Sequence, residues 1–164
     1  MNSQYDTAQI CLNGHVVNAL SRLDSAANQD HCGKCGEKTM TACANCNAQV
    51  RGPRLPSPDD VFYVASPYDV PAHCYQCGTP FPWTQRRLDA AHALADEFDA
   101  LTPEEREQLK GTLPSLFVDT PRTVVAEFTF KRLMLKVGKA GSDAMRRIVV
   151  DVVSEAVRKS LFGP

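Results

Sequence analysis

From Gln85 onward the chain repeats its apolar residues at helical spacing. QRRLDAAHALADEFDAL sets Ala91, Leu94, Ala95, Phe98 and Leu101 on one stripe, the recurrence of a helix that buries a single side. LTPEEREQL opens a second helix. Thr102 is placed as its N-cap, Pro103 takes the first turn, where no N–H is needed, and Glu105 sits three residues after the cap to close a capping box. TPRTVVAEFTFKRLMLKVG repeats the Thr-Pro start at Thr120 and Pro121 and ends at Gly138. SDAMRRIVVDVVSEAVRKSLFG begins a fourth at Ser142. Its β-branched run resembles a strand, but Met145, Ile148, Val149, Val152, Val153, Ala156 and Val157 share one helical face. Arg146, Arg147, Asp151, Glu155 and Arg158 fall on the other. Four helices are expected, with KAGS as the hinge between the last two.

Before Thr84 that periodicity is missing. RGPRLPSPDDVFYVASPYDVP is rich in proline, which removes backbone donors and fixes φ, so only VFYV reads as a short strand. Cysteine takes the place of the apolar pattern: all seven lie between residues 11 and 77. Six form Cys-x-x-Cys pairs, Cys32/Cys35, Cys43/Cys46 and Cys74/Cys77, and Cys11 stands apart. That spacing lets one tight turn aim both sulfurs at a single metal. The residue after each pair needs a left-handed backbone, and the sequence supplies Gly36, Asn47 and Gly78. An odd cysteine count fits a complete disulfide framework poorly.

Two tetrahedral zinc sites need eight ligands. CLNGH offers His15 as the eighth, four residues after Cys11 with Gly14 available for a bend. His31 and His73 directly precede ligand cysteines, where the backbone would have to double back, and are read as exposed neighbours. Three pairing schemes are open. Sequential pairing joins Cys11, His15, Cys32 and Cys35 on one ion and Cys43, Cys46, Cys74 and Cys77 on the other. Nested pairing puts the two pairs of HCGKCGEKTMTACANCN on one ion, and crossed pairing alternates them. The seven residues between Cys35 and Cys43 favour the sequential scheme, with EKTMTA as a short strand between knuckles.

The expected fold is therefore segregated α+β: a tandem zinc-ribbon module with short β-hairpins over residues 1–84, then a helical domain over 85–164. With eight protein ligands on two structural zinc ions, no coordination position stays open for catalysis and no cysteine is left as a nucleophile. The sequence holds no HExxH, no GxSxG and no glycine-rich phosphate loop, and its serines lack histidine and acid partners. His92, on the first helix, reads as half-buried and structural. Phe81 and Trp83 in GTPFPWT read as packing residues, with an exposed partner contact as the alternative. An enzyme is not expected.

Charge then bears on partners. Residues 1–84 carry five basic and seven acidic side chains, −2, which becomes −5 with seven thiolates and two Zn²⁺. Residues 85–119 carry four basic against eight acidic, and residues 120–164 nine basic against four acidic, +5. An acidic zinc half argues against nucleic acid there, because nucleic-acid ribbons cluster Lys and Arg. The expectation is a protein–protein interaction or adaptor module that self-associates or docks a partner through its helices. Nucleic-acid binding through the basic C-terminal helices is the alternative. No signal peptide is read at the start, and no apolar run is long enough to span a bilayer, so a cytoplasmic, non-membrane location is expected.

The series CLNGH, CGKCG, CANCN and CYQCGTPFPWT, followed by LTPEEREQL, DTPRTVVAEFTFKRL and SEAVRKSLFG, resembles a bacterial family known as a domain of unknown function. The likeness covers nearly the whole chain, and CGTPFPWT is its most specific element. It implies tandem zinc ribbons followed by a helical tail, with ligands at Cys11, His15, Cys32, Cys35, Cys43, Cys46, Cys74 and Cys77. It implies no activity.

Overall fold

A computed structural model describes residues 4–56 and 68–163 and divides the chain into two compact units, Met1–Thr84 and Gln85–Pro164. The VFYV segment lies outside the described residues. Among the described residues the first unit holds five short strands: β1 (Tyr5–Thr7), β2 (Gln9–Cys11), β3 (Val16–Asn18), β4 (Thr39–Met40) and β5 (Arg51–Arg54). β1 pairs antiparallel with β5, and β2 is the centre of a three-stranded sheet flanked by β3 and β4. β2 ends at Cys11, and β4 lies between the turns that hold Cys35 and Cys43. EKTMTA, expected as a strand, supplies β4.

So little sheet buries little apolar surface. Among the described residues the core of this unit contains Ala8, Ile10, Val50, Phe81 and Trp83, packed with Cys43 and Cys74. Phe81 and Trp83 stack at 4.6 Å, and the indole N–H donates to the Pro71 carbonyl at 2.9 Å. Trp83 is 1% exposed, so this pair is packing and not a surface contact. Polar groups hold the long connection after β3. The buried Asp6 carboxylate accepts backbone N–H groups of Thr7, Arg22 and Leu23, and the Gln9 side chain exchanges hydrogen bonds with the Gln29 backbone. Buried polar atoms satisfied in this way fix a loop that apolar packing alone would leave undefined.

The second unit is helical among the described residues: α1 (Pro82–Asp96), whose first three residues belong to the first unit, then α2 (Pro103–Leu116), α3 (Pro121–Val149) and α4 (Glu155–Phe162). α1 starts earlier than its periodicity suggests, at Pro82, and its apolar stripe buries Ala91, Ala95 and, beyond its end, Phe98 and Leu101. α2 carries the expected capping box: Glu105 N–H donates to Thr102 Oγ1, and the Thr102 N–H donates to the Glu105 carboxylate at 3.2 Å. α2 packs on α3, burying Leu109, Leu113 and Leu116 with Phe130 and Leu133.

α3 keeps its expected break at Gly138, where φ is +82° and ψ 178°, a backbone only glycine adopts readily. KAGS itself is helical and resumes the turn after that kink. The run from Ser142 to Gly163 is not one helix. It stops at Val149 and restarts at Ser154, whose side chain accepts the Val157 N–H and whose own N–H donates to the Leu116 carbonyl. The cause is local: four β-branched residues around Asp151 propagate a helix weakly, and Ser154 caps a new one. The restart resets the helical phase. Val152, Val153 and Val157 stay buried while Ala156 turns outward. No helix among the described residues is long and apolar enough to cross a membrane.

Candidate metal centres

Three cysteine turns are built alike. In each, the N–H of the first cysteine donates to a carbonyl five residues on: Cys32 to Glu37, Cys43 to Ala48 and Cys74 to Thr79, at 2.8 to 2.9 Å. In each, the residue after the second cysteine donates its N–H back to the first cysteine's carbonyl, from Gly36, Asn47 and Gly78, all at 2.8 Å. Those three residues have φ of +73°, +59° and +72°. A left-handed residue is required because it closes this turn while leaving amide hydrogens directed at the sulfurs. The fourth ligand turn is the β2–β3 hairpin. Gly14, at φ +88°, donates to the Cys11 carbonyl, and a Cβ there would meet Trp83 at 3.0 Å.

The turns converge in two places. Cys11, His15, Cys32 and Cys35 bring their ligand atoms within 4.8 Å of one another, and so do Cys43, Cys46, Cys74 and Cys77. The two pairs of HCGKCGEKTMTACANCN therefore fall in different groups, as in the sequential scheme. In the first group Cys11 Sγ lies 3.8 Å from Cys35 Sγ, and His15 Nδ1 lies 3.5 Å from Cys11 Sγ and 3.6 Å from Cys32 Sγ. In the second, Cys43 and Cys77 are 3.8 Å apart and Cys46 and Cys74 are 3.6 Å apart. A disulfide needs about 2.05 Å; these are four-fold clusters of separate donors that can each hold a metal ion. His31 is exposed and His73 half-buried, and neither belongs to a group; each bridges across its turn, to Lys38 and Pro80. His92 Nε2 meets the Lys110 carbonyl at 3.2 Å, an interhelical tie.

Hydrogen bonds and crowding set the thiols of each cluster apart. The Thr79 hydroxyl, then Asn45 and the Thr79 amide, hold the Cys77 thiol down at about 5. Cys46 is pushed up to about 12: the Ala48 amide favours its thiolate, but burial of charge and the sulfurs of Cys77, Cys74 and Cys43 outweigh that. In the first group, burial raises Cys11, while the Lys34 amide lowers Cys32 and the Glu37 amide, with Asn13, lowers Cys35. Sulfurs this close cannot all ionise unless positive charge sits among them.

Three further residues serve the clusters. Asn13 Nδ2 donates to Cys35 Sγ at 3.5 Å, Thr79 Oγ1 lies 3.4 Å from Cys77 Sγ, and Asn45 Nδ2 donates to Thr79 Oγ1 at 3.2 Å. None follows a ligand spacing rule. Their signal is position alone: Asn13 lies between Cys11 and His15, Asn45 between Cys43 and Cys46, and Thr79 two residues past Cys77. Arg51 is clasped beside the third turn, with its guanidinium 3.8 Å from the Tyr75 ring and 4.9 Å from that of Tyr5.

Fold and site together define a protein with two knuckle-built, four-donor clusters ahead of a helical unit. The chain belongs to the family described as an uncharacterized protein conserved in bacteria (DUF2321), whose model matches residues 4–161. Comparison with curated proteins and with solved structures found no match.

Proposed function

We propose that the chain is a non-enzymatic protein–protein interaction module whose first unit is held together by two structural zinc ions. The observation that carries the zinc assignment is the set of donor separations. Two sulfurs at about 2.3 Å from a shared zinc in tetrahedral array are about 3.8 Å apart, and a sulfur and a histidine nitrogen about 3.6 Å. The clusters have 3.6–3.8 Å and 3.5–3.6 Å. All-sulfur and sulfur–nitrogen tetrahedra suit zinc better than the harder cations, which take oxygen. Four protein donors at each ion leave no position for water or substrate, which supports scaffolding over catalysis. Among the described residues the first unit buries few large apolar side chains, and metal binding would add to its folding free energy.

The adaptor part of the reading rests on the helical unit, where Val124, Val125, Phe128 and Leu135 are each at least 66% exposed on one helix. Light scattering and co-purification of the zinc-loaded chain test it. The expected result is self-association or a stoichiometric protein partner that survives high salt. A strict monomer with no partner would overturn it. The second reading, nucleic-acid binding, is favoured by the nine basic against four acidic residues of 120–164. It predicts binding that weakens steeply with salt and is lost on reversing Arg146 and Arg147.

A further inference from the structure

On α3, Val124, Phe128 and Leu135 are 71%, 71% and 84% exposed. Their spacing puts them on one helical face, about 17 Å long at 1.5 Å per residue. Leu135 is also one wall of a groove of about 680 Å³ between α3 and α4. Its floor is apolar: Phe130, Met134, Leu161 and Phe162. Its rim is basic, with Lys131, Lys139 and Arg146 against the single acid Asp143. Among the described residues Lys139 and Arg146 form no ion pair, and Arg146 lies over the Phe162 ring at 5.3 Å.

Shape and charge select the occupant. An open groove continued by an apolar stripe three turns long matches the side of a helix, which sets its own apolar residues at the same interval. A rim of three cations to one acid favours an acidic partner. A second copy of the chain using the same face would bring this net-cationic patch against its own copy, which like-charge repulsion disfavours. We infer that the α3–α4 groove and the adjoining Val124–Leu135 stripe dock an acidic amphipathic helix of another protein. This assignment deepens the interaction reading and rests on it.

A displayed library of short helical peptides, selected against the zinc-loaded full chain, tests the assignment. The expected winners carry Leu or Phe at i, i+3 or i+4, and i+7, flanked by Asp and Glu. The best of them, fluorescein-labelled and followed by anisotropy, is expected to bind at least tenfold more weakly to Leu135→Glu and to the double variant Lys139→Glu/Arg146→Glu. Leu23→Glu, in the first unit, is expected to leave binding unchanged. All these side chains are solvent-facing, and circular dichroism of each variant is the check that it folds. Failure to enrich any peptide, enrichment of basic or extended ones, or equal binding by Leu135→Glu would overturn the assignment. So would an oligonucleotide that occupies this face at the expense of the peptide. A partner that still co-purifies with Leu135→Glu would preserve the interaction reading while removing the groove from it.

Discussion

Asn47 is the one left-handed residue among the described non-glycines, and it stands where the other two knuckles have glycine. Asparagine tolerates that backbone and a β-branched residue does not. Asn47→Gly should therefore leave the zinc-loaded protein unchanged within a few tenths of a kcal/mol, while Asn47→Val should cost about 1–2 kcal/mol, read by denaturant titration. Equal stability of the two would mean that the turn is not held by its metal geometry. The ligand set was legible in the sequence because cysteine spacing reports turn geometry directly, and His15 because its partner Cys11 shares a hairpin. Asn13, Asn45 and Thr79 were not legible, since a hydrogen bond to sulfur can come from many positions and leaves no periodic trace. Outer hydrogen bonds of this kind orient and tune the metal ligands. Thr79→Val should lower zinc affinity of the second cluster by about tenfold in chelator competition and leave the first cluster unaltered; an equal loss at both would point to general unfolding.

At the scale of elements, the helices that announce themselves most clearly are those with both a stripe and a cap. α2 has its Thr102–Glu105 box, and the Glu105 carboxylate also meets Lys136 of α3. The Lys136 ammonium, then the Thr102 amide, hold the Glu105 carboxyl below its ordinary value. A depressed folded-state value means that its contribution is present above the ordinary range near 4.5 and disappears as pH falls through the lowered folded value. Glu105→Gln should accordingly be less stable than the parent at neutral pH and converge with it in acid, and Thr102→Ala should cost about 1 kcal/mol. Thermal melts across that range check both, and a constant gap at every pH would contradict the linkage. The last helix was less legible. One apolar face runs through Met145 to Val157, yet the chain breaks at Val150–Ser154, because periodicity records which side is buried and says nothing of whether β-branched residues will hold the turn.

For the whole molecule, the two units owe their order to different physics. The helical unit buries Leu109, Leu113, Leu116, Leu133, Met145 and Val149 completely, whereas among the described residues of the first unit Ile10, Val50 and Trp83 are buried to that degree beside two donor clusters. Thorough chelation should therefore erase the near-ultraviolet signal of Trp83, the single tryptophan, while most helical far-ultraviolet signal survives. Persistence of the Trp83 signal without metal would show that the first unit folds on its core alone.

On the proposed reading, two closed zinc tetrahedra, one with three sulfurs and a nitrogen and one with four sulfurs, organise the first unit. Metal counting by native mass spectrometry with X-ray absorption at the zinc edge, on the reduced chain and on Cys32→Ser/Cys35→Ser, tests it most directly. Two zinc ions per chain are predicted, falling to one in the double variant, with a purely four-sulfur shell remaining. A single ion in the parent chain, loss of both in the variant, or a remaining shell that contains nitrogen would contradict it.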